Sequence, residues 1–252
     1  MSSKPTLVFV PGAWHTPETW DKVTSAMEAH QFKCVSVTLP TTLGDPAANF
    51  SDDFKAVRDS ILAETTQGRN VVVVVHSYGG AVGGSAIHGL AKPQQDDASG
   101  RVIGFFMIAT GFIMANSTFL DAFNGKIPPI WESNPETGFT DISVDPRELF
   151  YHDLPEEEGN YWVGKLQKQS TRALNEGAED AHEGWKEVPI WYLATVEDKA
   201  LPVQAQRAYV QGAKDAGGDV TLREIASSHS PMLSKPDETV AVMLEAIAAF
   251  TQ

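Results

Sequence analysis

The sequence predicts an α/β fold, in which a mostly parallel, six-stranded sheet carries helices on both faces and a helical lid is inserted into the chain. Two observations support this prediction. Short apolar runs alternate with helical patterns towards both ends of the chain, as repeated β-α-β units require. One of these runs, Val71–Val75, is apolar at every position, which is typical of a central parallel strand buried on both faces.

Turn residues delimit the first strands and helices. Thr6–Val10 is an apolar, β-branched run that stops at the Pro11-Gly12 pair. A threonine, a proline and an acid at 16–18 provide a helix start, and the helical pattern continues to about residue 30. A second strand is predicted at Lys33–Thr38. The next helix, at 51–68, places four apolar side chains on one face: Phe54, Val57, Ile61 and Leu62.

The remaining elements follow the same alternation. The other four strands are predicted at Asn70–Val75, Val102–Ala109, Val188–Ala194 and Val220–Ile225. Helices are predicted at Gly79–Leu90, from about Pro202, and from Pro236 to the C-terminal end. The core therefore comprises residues 1–111 and 188–252.

Residues 112–187 interrupt the alternation. This segment lacks strand periodicity, holds many aromatic residues and is too long for a structureless loop. We therefore expect it to form a helical lid, or cap, inserted in the core.

Composition restricts the classes of partner. The 252 residues are 42% hydrophobic, which is enough for a sizeable core, and the net charge of −14 comes without a basic cluster. We therefore expect a small-molecule substrate and neither a nucleic-acid nor a membrane partner. The first apolar run is too short for a signal sequence, so a cytoplasmic location is expected. The sequence leaves the oligomeric state open, and the single cysteine, Cys34, excludes an internal disulfide.

Ser77 follows the most buried strand, at the sheet edge where ligands of open parallel sheets bind. A nucleophile elbow is a tight strand-turn-helix with a serine at its apex, and it needs little bulk two residues before and two after the serine. Gly79 satisfies the second requirement, whereas Val75 does not satisfy the first. Taken alone, V-x-S-x-G is equally compatible with a structural turn.

An acid and a base follow two later strands. Glu197 and Asp198 lie just beyond the predicted fifth strand, and His229 lies in the loop after the sixth. The order serine, acid, histidine is the one that a nucleophile elbow in this topology requires. We assign Ser77 as nucleophile, His229 as base and Asp198 as orienting acid, with Glu197 as the alternative acid.

Two backbone N–H groups are candidates for an oxyanion hole. One belongs to Ala13, in the PGAWH turn after the first strand, and the other to Tyr78, at the start of the helix that follows the serine. Two nearby histidines, His15 and His76, are expected to be structural.

Four stretches resemble the α/β-hydrolase superfamily, and within it the plant-type methylesterase and hydroxynitrile lyase group with its bacterial and fungal esterase relatives. They are LVFVPGAWHTPETW, VVVHSYGG, EDKALPVQAQRAYV and SSHSPMLSKPDE. The resemblance implies the α/β-hydrolase fold, the same three catalytic residues and the same two oxyanion donors, with no cofactor and no metal. The sequence differs from the family pattern at Pro11, where a histidine is usual, and at Val75, where a glycine is usual.

The same scaffold hosts esterases and lyases, so fold does not settle function. The lyases of this group carry a threonine at the place of Gly12 and a lysine at the place of Ser230, and both are missing here. A serine hydrolase that forms an acyl-enzyme from small neutral esters or lactones is therefore favoured. The alternatives are another reaction with the same triad (C–C bond hydrolysis, lyase or polyketide-tailoring chemistry) and a non-catalytic ligand-binding protein.

Aromatic residues suggest an apolar substrate pocket, although many of them are expected to pack the lid onto the core. The predicted pocket residues are Trp14, Phe112, Phe119, Phe123, Trp131 and Trp162.

Overall fold

The computed structural model describes residues 4–92 and 99–252, so residues 1–3 and 93–98 of the predicted core range lie outside the description. A six-stranded parallel sheet forms its centre, which confirms the predicted sheet. Its strands are β1 (Thr6–Val10), β2 (Lys33–Ser36), β3 (Val71–His76), β4 (Val102–Ile108), β8 (Ile190–Thr195) and β9 (Val220–Ile225). They lie side by side in the order β2-β1-β3-β4-β8-β9. Three further strands, β5 to β7, lie between β4 and β8 in the chain.

Helices cover both faces of this sheet. The helices of the core are α1 (Asp21–Ala29), α2 (Phe50–Thr65), α3 (Gly79–Ala86), α7 (Val203–Asp215), α8 (Pro231–Ser234) and α9 (Pro236–Phe250). Strand β3 shows the two-sided burial directly. Val72 and Val74 line a small gap with side chains of α9, whereas Val73 and Val75 lie against Gly83 of α3. Side chains alternate across a strand, so an all-valine strand can pack on helices on both sides.

The segment 112–187 differs from the predicted helical lid. It holds a three-stranded antiparallel sheet of β5 (Trp131–Asn134), β6 (Phe139–Ile142) and β7 (Gln169–Ser170). Short helices accompany this sheet, at α4 (Pro146–Phe150), α5 (Glu156–Val163) and α6 (Arg172–Asn175). Strands of two to four residues are too short to display a period of two in the sequence, which explains why the prediction missed them. The division of the chain into core and lid stays a prediction.

The carboxyl ends of the parallel strands bring together the turns that follow β1, β3, β4, β8 and β9. All candidate catalytic residues lie in these turns. Of the helices in the described ranges, none combines the length and apolarity needed to cross a membrane.

Candidate active site

Ser77 occupies a strained turn between β3 and α3. Its φ of 52° lies in the left-handed region, which is costly for a residue other than glycine. The two glycines behind it allow the close approach of other backbone and side chains. A Cβ at Gly79 would lie 2.4 Å from the carbonyl oxygen of Pro11, and one at Gly80 would lie 2.0 Å from Oγ1 of Thr110. The local geometry is therefore that of a nucleophile elbow.

Val75 fits beneath this elbow because of a glycine on the facing helix. The valine is fully buried, and a Cβ at Gly83 would lie 2.5 Å from its Cγ1. The space that the valine needs two residues before the serine is thus provided by α3 rather than by the strand.

His229 and Asp198 form a buried pair. Nδ1 of His229 lies 2.7 Å from Oδ2 of Asp198, and the two side chains are 3% and 0% exposed. The carboxylate also accepts hydrogen bonds from the hydroxyl of Thr195 and from the backbone N–H groups of Ala200 and Leu201. These donors fix the carboxylate in one orientation, with an oxygen directed at the imidazole. Glu197, the alternative acid, is exposed to solvent.

The pairing with Asp198 leaves Nε2 of His229 as the ring nitrogen available to a serine hydroxyl. Ser77 and His229 line the same cavity. Among the hydrogen bonds of the described residues none joins the two side chains, and such bonds often close only when substrate is bound. The catalytic roles of the three residues stay predictions.

His76 holds the main chain of His229. Its Nε2 lies 2.8 Å from the carbonyl oxygen of His229, and the two ring centroids are 4.6 Å apart. Since a carbonyl only accepts, Nε2 of His76 carries the proton. Burial, reinforced by the neighbouring histidines His229 and His15, lowers the pKa of His76 well below its ordinary value and keeps the ring neutral.

His15 braces the turn after β1. Its Nδ1 donates to the carbonyl oxygen of Ala13 at 2.6 Å, and its Nε2 accepts from the hydroxyl of Tyr151 at 2.8 Å. Burial lowers the pKa of His15 to about 4, with the charge of His229 acting in the same direction. Both contacts suit a neutral imidazole, which agrees with the expected structural role.

The residues of the two candidate oxyanion donors lie at the cavity. Ala13 and Tyr78 both line it, and neither of their N–H groups has an acceptor within the part of the chain that the structure describes. The N–H of Tyr78 also lies at the N-terminus of α3, where the helix dipole favours negative charge. This arrangement is suited to an oxygen that gains charge during reaction.

The cavity above Ser77 is lined mainly by aromatic and aliphatic side chains. It encloses about 90 Å³, several times the space that one water needs. Five predicted pocket residues line it: Trp14, Phe112, Phe119, Phe123 and Trp131. Neither Asp, Glu, Lys nor Arg occurs among its lining residues. This lining favours a neutral, largely hydrophobic ligand.

Trp162 is the exception among the predicted pocket residues. It does not line the cavity but packs in the hydrophobic core, with 8% of its surface exposed. It lies on α5, whose buried side is directed into the core. Sequence reasoning missed Phe150, Leu201 and Tyr209, which do line the cavity. Two signals were usable, namely the position of Leu201 just after Asp198 and the aromatic side chain of Phe150 in the same segment as most predicted pocket residues, whereas nothing in the sequence marks Tyr209.

No group of three or more His, Cys, Asp or Glu side chains in residues 4–92 and 99–252 has the arrangement of a metal site.

A sequence profile described as "Alpha/beta hydrolase family" matches residues 7–242. The matched range includes the elbow at Ser77, Asp198 and His229.

Similar proteins extend over nearly the whole chain. Alpha/beta hydrolase nvfD of Aspergillus novofumigatus is 26% identical over 246 residues, which are 96% of this chain and 96% of that protein. Pheophorbidase of Raphanus sativus is 27% identical over 254 residues, covering 96% of this chain and 93% of that protein. The crystal structure of polyneuridine aldehyde esterase has a TM-score of 0.75 at 20% identity and covers 96% of this chain and 99% of that one. This structural likeness shows a shared fold.

Proposed function

The chain belongs to the alpha/beta hydrolase family, and we propose that it is a serine hydrolase that cleaves small neutral carboxylic esters or lactones. One observation carries the proposal: a serine in a strained elbow shares a cavity with a histidine whose other ring nitrogen is bonded to a buried carboxylate. A serine hydroxyl is a weak nucleophile at neutral pH, and this arrangement provides the base that activates it. The names of the similar proteins, pheophorbidase and an esterase among them, also support a carboxylic ester hydrolase.

In the first half of the reaction, Nε2 of His229 takes the proton from Oγ of Ser77 as the oxygen attacks the carbonyl carbon of the ester. The carbonyl oxygen becomes an oxyanion that accepts hydrogen bonds from the N–H groups of Ala13 and Tyr78. The C–O bond to the alcohol then breaks, and His229 returns the proton to the leaving oxygen. The acyl group remains on Ser77.

In the second half, His229 takes a proton from a water molecule, whose oxygen attacks the acyl carbon. The oxyanion forms again in the same place. When the bond to Oγ breaks, His229 protonates Ser77, and the carboxylic acid leaves. Asp198 holds the imidazole in position throughout and stabilises its charged form.

The surroundings of Ser77 support a neutral substrate. The cavity is built largely from aromatic and aliphatic side chains, and the chain as a whole carries a net charge of −14. An anionic ligand would meet a repulsive field and find no cationic side chain in the lining. An uncharged ester with a hydrophobic part meets neither obstacle.

A panel of para-nitrophenyl and methyl esters of short to medium acyl length tests this proposal. We expect measurable kcat/KM for wild type and a loss of at least about 10³-fold in Ser77→Ala. Ser85→Ala is the matched control, because it removes another buried hydroxyl from the chain segment of α3 without touching the cavity. Equal rates for wild type and Ser77→Ala on every ester would refute the proposal.

A further inference from the structure

Three buried polar side chains lie behind the site and take no part in the reaction described above. They are Asp53 of α2, Thr41 of the loop between β2 and α2, and Gln169 of β7, and each is fully buried. Burying such groups is costly unless all their hydrogen bonds are satisfied.

The three side chains are joined in one continuous row. Nε2 of Gln169 donates to Oγ1 of Thr41 at 3.0 Å, and the hydroxyl of Thr41 donates to Oδ2 of Asp53 at 2.7 Å. The backbone N–H of Thr41 donates to the other carboxylate oxygen, Oδ1, at 3.1 Å. We call this row of Gln169, Thr41 and Asp53 the buried strut.

Each end of the buried strut is bonded to a residue at the oxyanion hole. At one end, Oε1 of Gln169 accepts from the backbone N–H of Trp14 at 3.2 Å, directly after Ala13 in the chain. At the other end, Oδ2 of Asp53 accepts from the hydroxyl of Tyr78 at 2.9 Å. The strut therefore connects Tyr78, which carries one candidate oxyanion donor, with Trp14, the chain neighbour of Ala13, which carries the other.

With Asp53 ionised, the hydrogen bonds of the strut all run in one direction. The N–H of Trp14 donates to Gln169, whose amide donates to Thr41, whose hydroxyl donates to Asp53. The hydroxyl of Tyr78 donates to the same carboxylate, which only accepts when ionised. A flipped Gln169 amide would set its NH₂ group against the N–H of Trp14. The network thus has a single direction and a single acceptor at its end.

The turn that carries Ala13 needs such support. Trp14 has a φ of 61°, a conformation that costs free energy and persists only where its surroundings enforce it. Two further contacts from the inserted segment hold this residue. Its carbonyl oxygen accepts from the N–H of Gln167 at 2.8 Å, and its indole N–H donates to the carbonyl oxygen of Thr140 at 2.8 Å.

We propose that the buried strut is a positioning device that holds the N–H groups of Ala13 and Tyr78 at the separation that the oxyanion needs. This inference rests on the proposed function. Gln169, Thr41 and Asp53 are positioning residues, since they act through Trp14 and Tyr78. Because Gln169 comes from the inserted segment, that segment helps to build the oxyanion hole as well as to cover the cavity.

The test compares two single variants that cut the buried strut at opposite ends. Tyr78→Phe removes the hydroxyl that meets Asp53 and keeps the ring and the backbone N–H. Gln169→Met removes both amide contacts at similar length. Burial raises the pKa of Asp53 to about 6, so assays at about pH 8 keep its carboxylate ionised.

We measure two quantities for each variant: the hydrolysis of para-nitrophenyl butyrate and the inhibition by a trifluoromethyl ketone of the same acyl length. Oγ of Ser77 adds to the carbonyl carbon of the ketone while His229 takes the serine proton. The former carbonyl oxygen becomes an oxyanion that lies in the oxyanion hole. We expect each variant to lose about 10- to 100-fold in kcat with KM changed less than about threefold, and to bind the ketone more weakly by a similar factor. The double variant should lose little more than the worse single variant, because both changes break one row.

Ser85→Ala is the control, since its buried hydroxyl accepts from the N–H of His182 in the inserted segment but does not belong to the strut. It should leave kcat and ketone affinity near wild type. Folding of each variant is checked by circular dichroism and thermal melting, and if Gln169→Met fails to fold, Tyr78→Phe decides alone.

Folded variants with unchanged kcat and ketone affinity would overturn the inference, as would a rise in KM at constant kcat. These outcomes assume hydrolysis that depends on Ser77. If Ser77→Ala hydrolyses the ester as fast as wild type, the proposed function itself is wrong.

Discussion

Nδ1 of His229 lies 2.7 Å from Oδ2 of Asp198, while the adjacent Glu197 is exposed to solvent. Although the two acids are neighbours in the chain, the carboxylate of Asp198 is hydrogen-bonded to the imidazole and that of Glu197 is in water. Asp198 is held by four other residues besides His229: Thr195, Ala200, Leu201 and Gln206. The geometry distinguishes the two acids that the sequence left as alternatives.

Substitution of the two acids should have very different effects. Asp198→Asn keeps the size of the side chain but places an amide against the imidazole, which disturbs its tautomer, and we expect kcat to fall by up to about 10⁴-fold. Glu197→Gln should stay within about twofold of wild type. Steady-state ester hydrolysis measures both. A larger loss in Glu197→Gln would transfer the role to that residue.

His76 should support catalysis through the main chain of His229. His76→Phe removes the N–H that bonds the carbonyl oxygen of His229, so the imidazole loses a fixed position, and we expect about a tenfold loss of kcat with little change in KM. His76→Gln retains a donor and should recover much of the rate. If the two variants have the same kcat, the hydrogen bond has no role in positioning.

The fit between Val75 and Gly83 predicts a conditional effect on stability. Alanine is the better helix former by about 1 kcal/mol, but its Cβ would meet the stiff Val75 side chain at 2.5 Å. We therefore expect Gly83→Ala to lower the free energy of unfolding by about 1–3 kcal/mol in wild type. In a Val75→Ala background the same change should be neutral or stabilising.

Urea unfolding of the four proteins in this cycle measures the coupling. An equal effect of Gly83→Ala in both backgrounds would show that the valine does not pack against this glycine.

Acid should destabilise the folded chain through His15. Its pKa is about 4 when folded and 6.5 ordinarily, so between pH 7 and pH 5 the unfolded chain binds a proton that the folded chain does not. The free energy of unfolding should therefore fall with falling pH, by about 2 kcal/mol from this residue over that range. His15→Gln keeps a donor and an acceptor and should reduce the pH dependence by that amount.

Urea unfolding at the two pH values checks this prediction, with His30→Gln, at an exposed position, as the matched control. If His15→Gln leaves the pH dependence as in wild type, His15 does not carry the assigned proton linkage.

The central sheet was predictable because its four inner strands are apolar on both faces and its strands end at turn residues. The valine run of β3 indicates a strand at the centre of the sheet, and Pro11-Gly12 marks the end of β1. The residues after these strands could be assembled into a site because parallel strands bring their carboxyl ends to one edge. Ser77, Asp198 and His229 lie at that edge, as the order of the strands requires.

The segment 112–187 was much less predictable. Its strands are short, and the β5–β6 hairpin lacks an alternating pattern long enough to recognise. Trp162 and Phe150 are both aromatic residues of this segment, yet only Phe150 reaches the cavity. The contact of Gln169 with Trp14 joins residues far apart in the sequence, and no motif marks either of them. Such contacts depend on tertiary packing, which local patterns do not encode.

Covalent labelling of Ser77 tests the account most directly. An uncharged, alkyl-substituted aryl phosphonate transfers its phosphonyl group to an activated serine and releases the phenol, so that intact-mass spectrometry and peptide mapping locate the adduct. We predict one stoichiometric adduct on Ser77 in wild type, none in Ser77→Ala, and wild-type labelling in Ser85→Ala, with ester hydrolysis lost in step with labelling. A folded wild-type protein that hydrolyses esters without labelling at Ser77, or that labels equally in Ser77→Ala, would contradict the account.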